Sequence, residues 1–344
     1  MSPARPGPFV ARSPSLAGGP GSLTAGPGSL TAAMGKRAGA VAVGLVADAV
    51  LGEVPSWHPV AGFGSAMERL EGRWWADDRL RGTVFAAAGI AAAAATGRGA
   101  TAAVGPGPAL AAATWVSAAG RALLGAAAEV GAALSAGEIE VARRLLPSLV
   151  GRSPDGLDEK EVARAVIESL ADNLSDAVVG TAVWGVLAAA PGALVHRAAN
   201  TLDAMVGYRS DRYRRFGWAS ARADDVLGWP AARLTAVLVA LASPSRAAAV
   251  WAAVRGDARA HPSPNAGVAE AAFAAALGLR LGGANRYGDR TEIRPYLGDG
   301  PTPEPADIGA AIDLSRRAIR LLTALMAAAG APGLVRAALA RRHR

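Results

Sequence analysis

The chain has 344 residues, 51% of them hydrophobic and 5% aromatic, and its mean hydropathy of +0.24 favours an integral membrane protein over a soluble one. It contains no cysteine, which excludes disulfides, thiolate metal ligands and cysteine nucleophiles. The net charge of +8 comes from arginines that lie beside apolar segments and acidic residues, a pattern typical of the cytoplasmic loops of membrane proteins and not of a nucleic-acid interface.

The N-terminal segment is rich in Gly, Pro, Ser and Ala and contains the heptapeptide GPGSLTA twice. It cannot bury enough apolar surface to offset its ordering entropy, so we expect residues 1–33 to be disordered. The membrane domain is predicted to begin at Met34, where Lys36 and Arg37 form a positive cytoplasmic flank before the apolar stretch AGAVAVGLVADAVLG. A cleaved signal peptide is the competing interpretation, but no small-residue cleavage site is followed by polar sequence.

Six apolar segments recur along the chain, and none shows the two-residue alternation of a half-buried strand. We therefore predict an all-α, polytopic integral membrane protein whose helical segments surround a polar, loop-rich catalytic region. Residues 34–330 would form one helical membrane domain, and residues 331–344 a basic tail. Several segments are shorter than the roughly 20 residues of a spanning helix, so the number of spans stays open. The segments are 38–51, 83–95, 102–116, 177–195, 234–242 and 319–329.

A polar region between Arg152 and Arg233 interrupts the apolar sequence, and we expect the function to reside there because polar groups in an apolar setting are expensive unless paired or used. Its first helix is predicted to start at an acidic variant of the capping box, formed by Asp158 and Glu161.

On that helix, Glu168, Asp172 and Asp176 recur every four residues and therefore share one face, with Asn173 beside them. Carboxylate oxygens at this spacing suit Mg²⁺ or a cationic substrate. A solvated helix face paired with arginine is the other interpretation, which the spacing alone favours. The arginines available for such pairing are Arg152 and Arg164.

An arginine-rich stretch follows Asn200 and Asp203. The planar guanidinium fork binds phosphates and carboxylates through two hydrogen bonds, although a positive membrane flank would have the same composition. Asp224 and Asp225 are a second candidate metal pair, or else ion-pair partners of neighbouring arginines. The stretch contains Tyr208, Arg209 and the run Arg212, Arg214 and Arg215, while Arg222 and Arg233 are the arginines that could pair with Asp224 and Asp225.

The apolar segment 177–195 has basic flanks on both sides, and both flanks are of the kind that stays in the cytoplasm. A simple span cannot place both there. We therefore predict that the chain turns back near Pro191-Gly192 as a re-entrant hairpin buried against other helices, the setting in which broken backbone is tolerated at membrane depth.

Two further segments, SPNAG with Asn265 and LGGANRYGD with Tyr287, are predicted as tight loops whose backbone N–H groups could hold an anion. His58 follows the first apolar segment, and a lone histidine of this kind is more often structural than a ligand. The sequence contains no GxxxxGK[ST], GxGxxG, HExxH or GxSxG motif, so any nucleotide site is not a P-loop.

Six ordered motifs between residues 41 and 329 resemble those of the adenosylcobinamide-phosphate synthase family, the CbiB/CobD proteins of cobalamin biosynthesis. They are DAVLGEVPSWHPV, GRSPDGLDEKEVARAVIESLADNLSDAVV, NTLDAMVGYRSDRYRRFGWASARADDV, PAARLTA, SPNAG, and LGGANRY followed by RPYLG. Two positions depart from the family pattern. Asp172 stands where the family usually has Glu, and Thr181 where it has a proline, which removes an expected helix break.

The resemblance implies an enzyme of the cytoplasmic membrane that joins aminopropanol or its O-phosphate to a propionate of adenosylcobyric acid. ATP would activate the propionate as an acyl phosphate, with Mg²⁺ as cofactor, and the amine would then attack it. The implied catalytic residues are Glu168, Asp172, Asn173, Asp176, Asn200 and Asp203. The implied metal ligands are Glu168, Asp176, Asp224 and Asp225. The implied substrate-binding residues are His58, Tyr208, Arg209, Arg215, Arg222, Arg233, Asn265 and Tyr287.

A polytopic transporter that uses the carboxylates for ion coupling is the main alternative. Transporters usually carry mid-helix charges and an internal repeat, whereas the polar residues here gather in one region and no repeat is visible. A soluble helical protein with an alanine-rich core is the third possibility, and dependence on detergent during extraction would separate it from the other two.

Overall fold

The computed structural model describes residues 27–52, 58–151, 153–208, 210–287 and 290–342, and these are predominantly helical, which confirms the all-α prediction. The helices are α1 (Pro27–Leu51), α2 (Pro59–Trp74), α3 (Arg79–Val104), α4 (Pro106–Ala118), α5 (Gly120–Ser135), α6 (Ile139–Leu145), α7 (Glu159–Asn173), α8 (Gly180–Val206), α9 (Trp218–Ala242), α10 (Ala247–Gly256), α11 (Ala266–Leu277) and α12 (Asp307–Arg342). The strands are β1 (Leu281–Tyr287) and β2 (Arg290–Leu297), which pair antiparallel.

Five helical stretches are long and apolar enough to cross a membrane, in agreement with a multi-pass protein. Two of them are interrupted: one at Ala119, where the backbone takes a left-handed conformation (φ 50°), and one in α8. The five are Ser29–Leu51, Arg79–Val104, Pro106–Ser135, Glu159–Val206 and Trp218–Ala242.

Both ends of the chain are more helical than expected. Residues 27–33, which we expected to be disordered, form the start of α1, while residues 1–26 lie outside the described part of the chain. Residues 331–342 continue α12 without a break. α1 and α12 cross at Gly39 and Gly330, where a Cβ on Gly330 would come within 2.6 Å of the Gly39 Cα, so only glycine permits this approach.

The middle of the polar region forms a helical hairpin. Ala188 (φ −129°, ψ 19°) and Ala189 (φ 57°, ψ −154°) have non-helical backbone, and the chain reverses there. Contacts on either side are spaced evenly about this point: Trp184 packs on Gly192, Gly180 on His196, and Asp176 bonds to Asn200. The predicted reversal near Pro191-Gly192 is confirmed. The apolar stretch Glu159–Val206, long enough to be one spanning helix, is therefore folded into two antiparallel legs.

The part of the hairpin between Asp176 and Asn200 is too short to cross a bilayer. From Asp176 to the tip at Ala188 the first leg rises about 18 Å at 1.5 Å per residue, against a hydrocarbon core of about 30 Å. Reversal leaves carbonyl groups at the tip without helical partners. Arg37 of α1 supplies them, because its Nη1 donates to the carbonyls of Leu187 (2.8 Å) and Val186 (3.2 Å).

This contact changes the interpretation of Arg37. We expected Lys36 and Arg37 to flank the membrane on the cytoplasmic side, the side assigned to the acidic residues. The structure places Arg37 at the hairpin tip, while Asp48 at the other end of α1 lies at the level of Val178 and Gly120. Arg37, near the middle of α1, therefore lies 11 residues from Asp48, about 16 Å along the helix, and it caps backbone carbonyls of the hairpin tip.

Asp48 and Arg121 cap each other's helices at the break in Pro106–Ser135. Asp48 Oδ2 accepts a hydrogen bond from the Arg121 backbone N–H (3.2 Å) at the start of α5, and Arg121 Nη1 donates to the Val50 carbonyl (2.7 Å) at the end of α1. A carboxylate at a helix N-terminus and a guanidinium at a C-terminus both oppose the helix dipole.

The core centres on α7 and α11. Residues Val162 to Ala171 of α7 and Ala266 to Ala275 of α11 are all buried. Arg164, Glu168 and Ser169 of α7 are therefore enclosed by protein, which rules out the solvated helix face considered for Glu168.

The glycine-rich segment LGGANRY is strand β1, not the loop that the sequence predicted. Gly282 (φ 87°) and Gly283 (φ 93°) form a bulge in the pairing with β2, a backbone conformation that glycine alone adopts at little cost. The bulge directs the Gly282 N–H to Glu168 Oε1 (2.9 Å). A protein carboxylate thus takes the N–H that we expected to hold an anion.

Candidate functional site

Four carboxylates from three helical segments meet at the base of the hairpin, and we call them the acidic cluster. Asp172 near the end of α7 and Asp176 in the π-helical turn Leu174–Val179 belong to the first leg, Asp203 lies on the second leg, and Asp224 lies on α9. Asp172, Asp203 and Asp224 all lie close enough to Asp176 to act on it electrostatically. The hairpin therefore brings together residues that are more than 20 positions apart in the sequence.

The π-helical turn explains why Asp176 leaves the face that Glu168 occupies. Each extra residue in a π turn rotates the following side chains, and such turns recur at functional sites because they re-aim a side chain. The side chains of Glu168 and Asp176, predicted to share one face, consequently have different partners. Asp176 faces the second leg, whereas Glu168 faces β1.

Asn200 organises the cluster. Its Nδ2 donates to Asp176 Oδ2 (3.1 Å), its Oδ1 accepts from Arg197 Nη1 (3.3 Å), and its side chain also interacts with the Asp224 carboxylate. An amide suits this position because it donates to carboxylates while accepting from a guanidinium, which neither aspartate nor leucine could do.

The acidic cluster fits a hard cation. Mutually repelling carboxylates are stabilised by a cation between them, and Asp224 Oδ1 is buried without accepting a hydrogen bond from any described residue. Within the described residues, no group of three or more His, Asp or Glu side chains lies close enough together to hold a metal ion. A Mg²⁺ ion bound here would therefore have to complete its coordination with water or substrate oxygens.

Glu168 holds the β-hairpin. It is 5% exposed, and Arg164, one turn earlier on α7, lies 4.0 Å from its Oε1. Arg164 donates to the carbonyls of Gly282 and Ala284, the second at 2.7 Å. The predicted metal ligand Glu168 is thus occupied with the bulge of β1, although it remains near enough to act electrostatically on Asp172.

Asn265 and Arg233 connect the SPNAG segment to α9 beside the acidic cluster. Asn265 is 4% exposed, its Nδ2 donates to the Asp225 carbonyl (2.9 Å), and its Oδ1 accepts from Arg233 Nη1 (3.1 Å). The Arg233 guanidinium also stacks over Trp229 at 4.5 Å. These predicted substrate residues therefore make contacts that position the helix carrying Asp224.

The remaining predicted residues are more scattered. Asn173 Nδ2 donates to the Ser169 carbonyl (3.0 Å) of its own helix. Arg222 pairs with Asp225 at 3.1 Å and Arg215 with Asp77 at 3.6 Å, both on the surface.

Two aromatic candidates and one arginine complete the set. Tyr208 is 47% exposed and its hydroxyl lies against Gly151. Tyr287 is paired with Arg290 at the far end of the β-hairpin. Arg209 lies outside the described residues.

A cleft of about 620 Å³ lies between α2 and the second leg of the hairpin, and none of the four carboxylates of the acidic cluster is among the residues that line it. His58 lies on its rim as the N-cap of α2, where Nδ1 accepts from the Val60 N–H at 3.3 Å. Arg197 lines the cleft and also bonds to Asn200, so it connects the cleft to the cluster. Other residues lining the cleft are Glu68, Glu71, Thr201, Met205 and Tyr213.

Sequence reasoning missed Arg197 and the Glu71–Arg212 pair. Glu71 is buried and accepts from Arg212 Nη2 (2.8 Å) and from the Tyr213 hydroxyl (3.1 Å). Arg197 was detectable, because it precedes Asn200 by three residues and so shares a helix face with it. Glu71 pairs with residues more than 140 positions away, and no local pattern reveals that contact.

Comparison with known proteins gives a consistent result. A family model described as CobD/Cbib protein matches residues 41–315. Proteins named cobalamin biosynthesis protein CobD are similar over most of their length: one from Mycobacterium tuberculosis is 44% identical over 81% of this chain and 91% of its own, and one from Rhodobacter capsulatus is 43% identical over 77% and 87%. One from Chromobacterium violaceum is 41% identical over 83% and 95%.

No solved structure matches the chain significantly. The family model covers well over half of the chain, including the hairpin, the acidic cluster and both β-strands. With matches of this length and identity, the chain belongs to the CobD/Cbib family.

Proposed function

We propose that this protein acts in cobalamin biosynthesis as an amide-forming ligase, joining aminopropanol or its O-phosphate to a propionate of adenosylcobyric acid at the expense of ATP. The observation that carries the proposal is the acidic cluster around Asn200, built from three segments at the base of a re-entrant hairpin. Family membership supports it, because the relatives are named for cobalamin biosynthesis.

The reaction has two steps. The propionate oxygen attacks the γ-phosphorus of ATP and expels ADP, which leaves an acyl phosphate. The amine nitrogen then attacks the acyl carbon, inorganic phosphate leaves, and one amine proton is released. Little covalent help from the protein is needed, so its main contributions are positioning and charge neutralisation.

The acidic cluster would hold Mg²⁺ through Asp176 and Asp203. When bound there, Mg²⁺ neutralises phosphate charge and orients the transferring group. Asn200 holds Asp176 in place. Asp224 Oδ1 accepts no hydrogen bond from a described residue, so it is placed to receive one from the substrate ammonium group and to take a proton from it, which frees the nitrogen lone pair for the attack.

Arg197 would meet the anionic substrates. It lines the cleft and donates to Asn200, so an oxyanion bound in the cleft would contact a guanidinium that is itself linked through Asn200 to the acidic cluster. Its link to Asn200 would make substrate binding sensitive to the geometry of the hairpin.

We place this end of the protein on the cytoplasmic side of the cell membrane, where ATP is available. Basic residues gather around the loops at the cluster end, as the positive-inside rule requires of cytoplasmic loops. These residues are Arg73, Arg79, Arg81, Arg212, Arg214, Arg215 and Arg222.

The test is a reconstituted assay. Detergent-purified protein is incubated with adenosylcobyric acid, aminopropanol O-phosphate and Mg-ATP, and the product is identified by mass. We expect a product that requires ATP, Mg²⁺ and amine together, with aminopropanol as a parallel arm. Folded protein that gives no amide product under any combination would overturn the proposal, and ATP-independent uptake of the corrinoid into proteoliposomes would favour the transporter.

A further inference from the structure

A second buried set of charges lies behind the acidic cluster. Glu270 is the sole charged residue of α11 and its side chain is 3% exposed. Arg294 Nη1 of β2 lies 3.8 Å from Glu270 Oε1, and His261 Nε2 lies 3.8 Å from Oε2. A carboxylate in an apolar helix is costly unless it is paired, so this pairing has to hold in the folded protein.

Arg294 supplies the positive charge of this set. His261 Nδ1 lies 3.1 Å from both the backbone nitrogen and the carbonyl oxygen of Ser263, and its Nε2 faces Glu270. Burial lowers the pKa of His261 below its ordinary value, so its ring is neutral at pH 7. The negative charge of Glu270 is then balanced by Arg294.

The position of Arg294 is set by the β-hairpin. It pairs with Gly283, next to the bulge that Arg164 and Glu168 hold against α7. Its side chain is 23% exposed and lies close enough to Asp172 to act on it electrostatically. Arg294 thus has the buried Glu270 on one side and the acidic cluster on the other.

We propose that Arg294 is an oxyanion-binding residue of the active site and that Glu270 is the residue that positions it. A guanidinium held by a buried carboxylate keeps its charge and orientation, and at the edge of a carboxylate cluster it gives phosphoryl or carboxylate oxygens the cationic partner they need. This inference rests on the proposed function and extends it to β2, whereas the sequence assigned to this hairpin only an anion-holding loop and a substrate contact at Tyr287.

Arg294→Gln is the main variant, with Arg294→Lys and Glu270→Gln beside it. Arg280→Gln is the matched control, since Arg280 is an exposed arginine of the same hairpin region that stacks over Tyr296 at 4.8 Å. We expect Arg294→Gln to raise the KM for one substrate by about 10- to 100-fold, the size of a lost charge-assisted hydrogen bond. Arg294→Lys should recover part of this loss, because an ammonium keeps the charge without the fork.

The substrate whose KM rises in Arg294→Gln identifies the molecule that carries the oxyanion. A rise for ATP assigns it to a phosphoryl group of the nucleotide, and a rise for the corrinoid assigns it to the propionate. A rise for aminopropanol O-phosphate but not for aminopropanol assigns it to the amine substrate. Glu270→Gln should change the same KM by a smaller factor, as a positioning residue would.

Thermal unfolding in detergent and direct calorimetric binding of each substrate accompany the kinetics. If the wild type forms product but Arg294→Gln has the KM values of Arg280→Gln, the inference is wrong and the proposed function stands. A loss of kcat with unchanged KM and no recovery in Arg294→Lys would assign Arg294 a structural role only. Absence of product from the wild type would count against the proposed function itself. Should Arg294→Gln fail to fold, Arg294→Lys keeps the charge opposite Glu270 and decides the question by its KM.

Discussion

Asn200 donates a hydrogen bond of 3.1 Å to the carboxylate of Asp176 from the opposite leg of the helical hairpin. The bond links two residues 24 positions apart, on either side of the reversal at Ala188 and Ala189. Since the acidic cluster exists only when the hairpin is closed, the fold of a membrane-inserted element and the geometry of the proposed active site depend on each other.

Asp176→Asn tests the cluster directly. The change removes one negative charge at nearly constant shape, so we expect turnover to fall by about 10²- to 10³-fold while the protein remains folded. Asp313→Asn is the control, because Asp313 is an exposed aspartate of α12 paired with Arg316. Amide formation followed by mass, together with thermal unfolding, measures both effects. Wild-type turnover in Asp176→Asn would contradict the assignment.

Glu168→Gln separates a positioning role from a metal-binding role. Glutamine can still accept the Gly282 N–H, but it loses the charge beside Arg164. We expect a stability loss of about 1–3 kcal/mol and a smaller loss of turnover than in Asp176→Asn. Glu159→Gln, an exposed position at the start of the same helix, is the control. A loss of turnover as large as that of Asp176→Asn, without loss of stability, would return Glu168 to the catalytic set.

Cysteine labelling tests the hairpin, and the chain has no native cysteine. Cysteines at the exposed positions Glu159 and Ala204, one on each leg, should react with an impermeant maleimide from the same side of the membrane. A cysteine at Leu187, on the tip, should be protected from both sides. Leu30, near the other end of α1, should label from the opposite side. Opposite-sided labelling of Glu159 and Ala204 would show a true span.

Gly180→Ala should disrupt the hairpin. A Cβ at Gly180 would lie 1.8 Å from His196 Nε2, and the two legs would have to separate. Overpacking of this kind costs about 1–3 kcal/mol or more, so we expect a lower Tm and lower activity. Gly99→Ala is the matched change, since a Cβ there meets nothing within 4 Å. Equal Tm values for the two variants in the same detergent would contradict the close packing of the legs.

Arg37→Met should weaken the hairpin tip. The change leaves the carbonyls of Val186 and Leu187 without their donor in an apolar setting, which costs about 1–3 kcal/mol. Lys36→Met is the control, because Lys36 is exposed on the same turn of α1. Thermal unfolding should show a drop of several degrees for Arg37→Met alone. If Arg37→Met is as stable as the wild type, the contact does not hold the tip.

Local sequence patterns predicted the helices, the start of α7 and the reversal near Pro191-Gly192. The capping box at Asp158 and Glu161 forms as predicted, because its hydrogen bonds join residues only three apart. The reversal was predictable from charge, since two basic flanks cannot lie on one side of a simple span. Family membership followed from motifs in a conserved order, which needs no knowledge of contacts.

Tertiary contacts alone decided what the polar side chains do. Spacing put Glu168 and Asp176 on one face, but the π-helical turn between them gave each a different neighbour. The glycines of β1 were predicted to lie in a loop. In the structure they form a bulge within a strand, which is held by Arg164 and Glu168, more than 110 positions away, and no local pattern reveals those contacts. The spacing of residues along the sequence shows which side chains share a face of one helix. It carries no information on which other segment covers that face, and in this protein that covering segment determines the role of each charge.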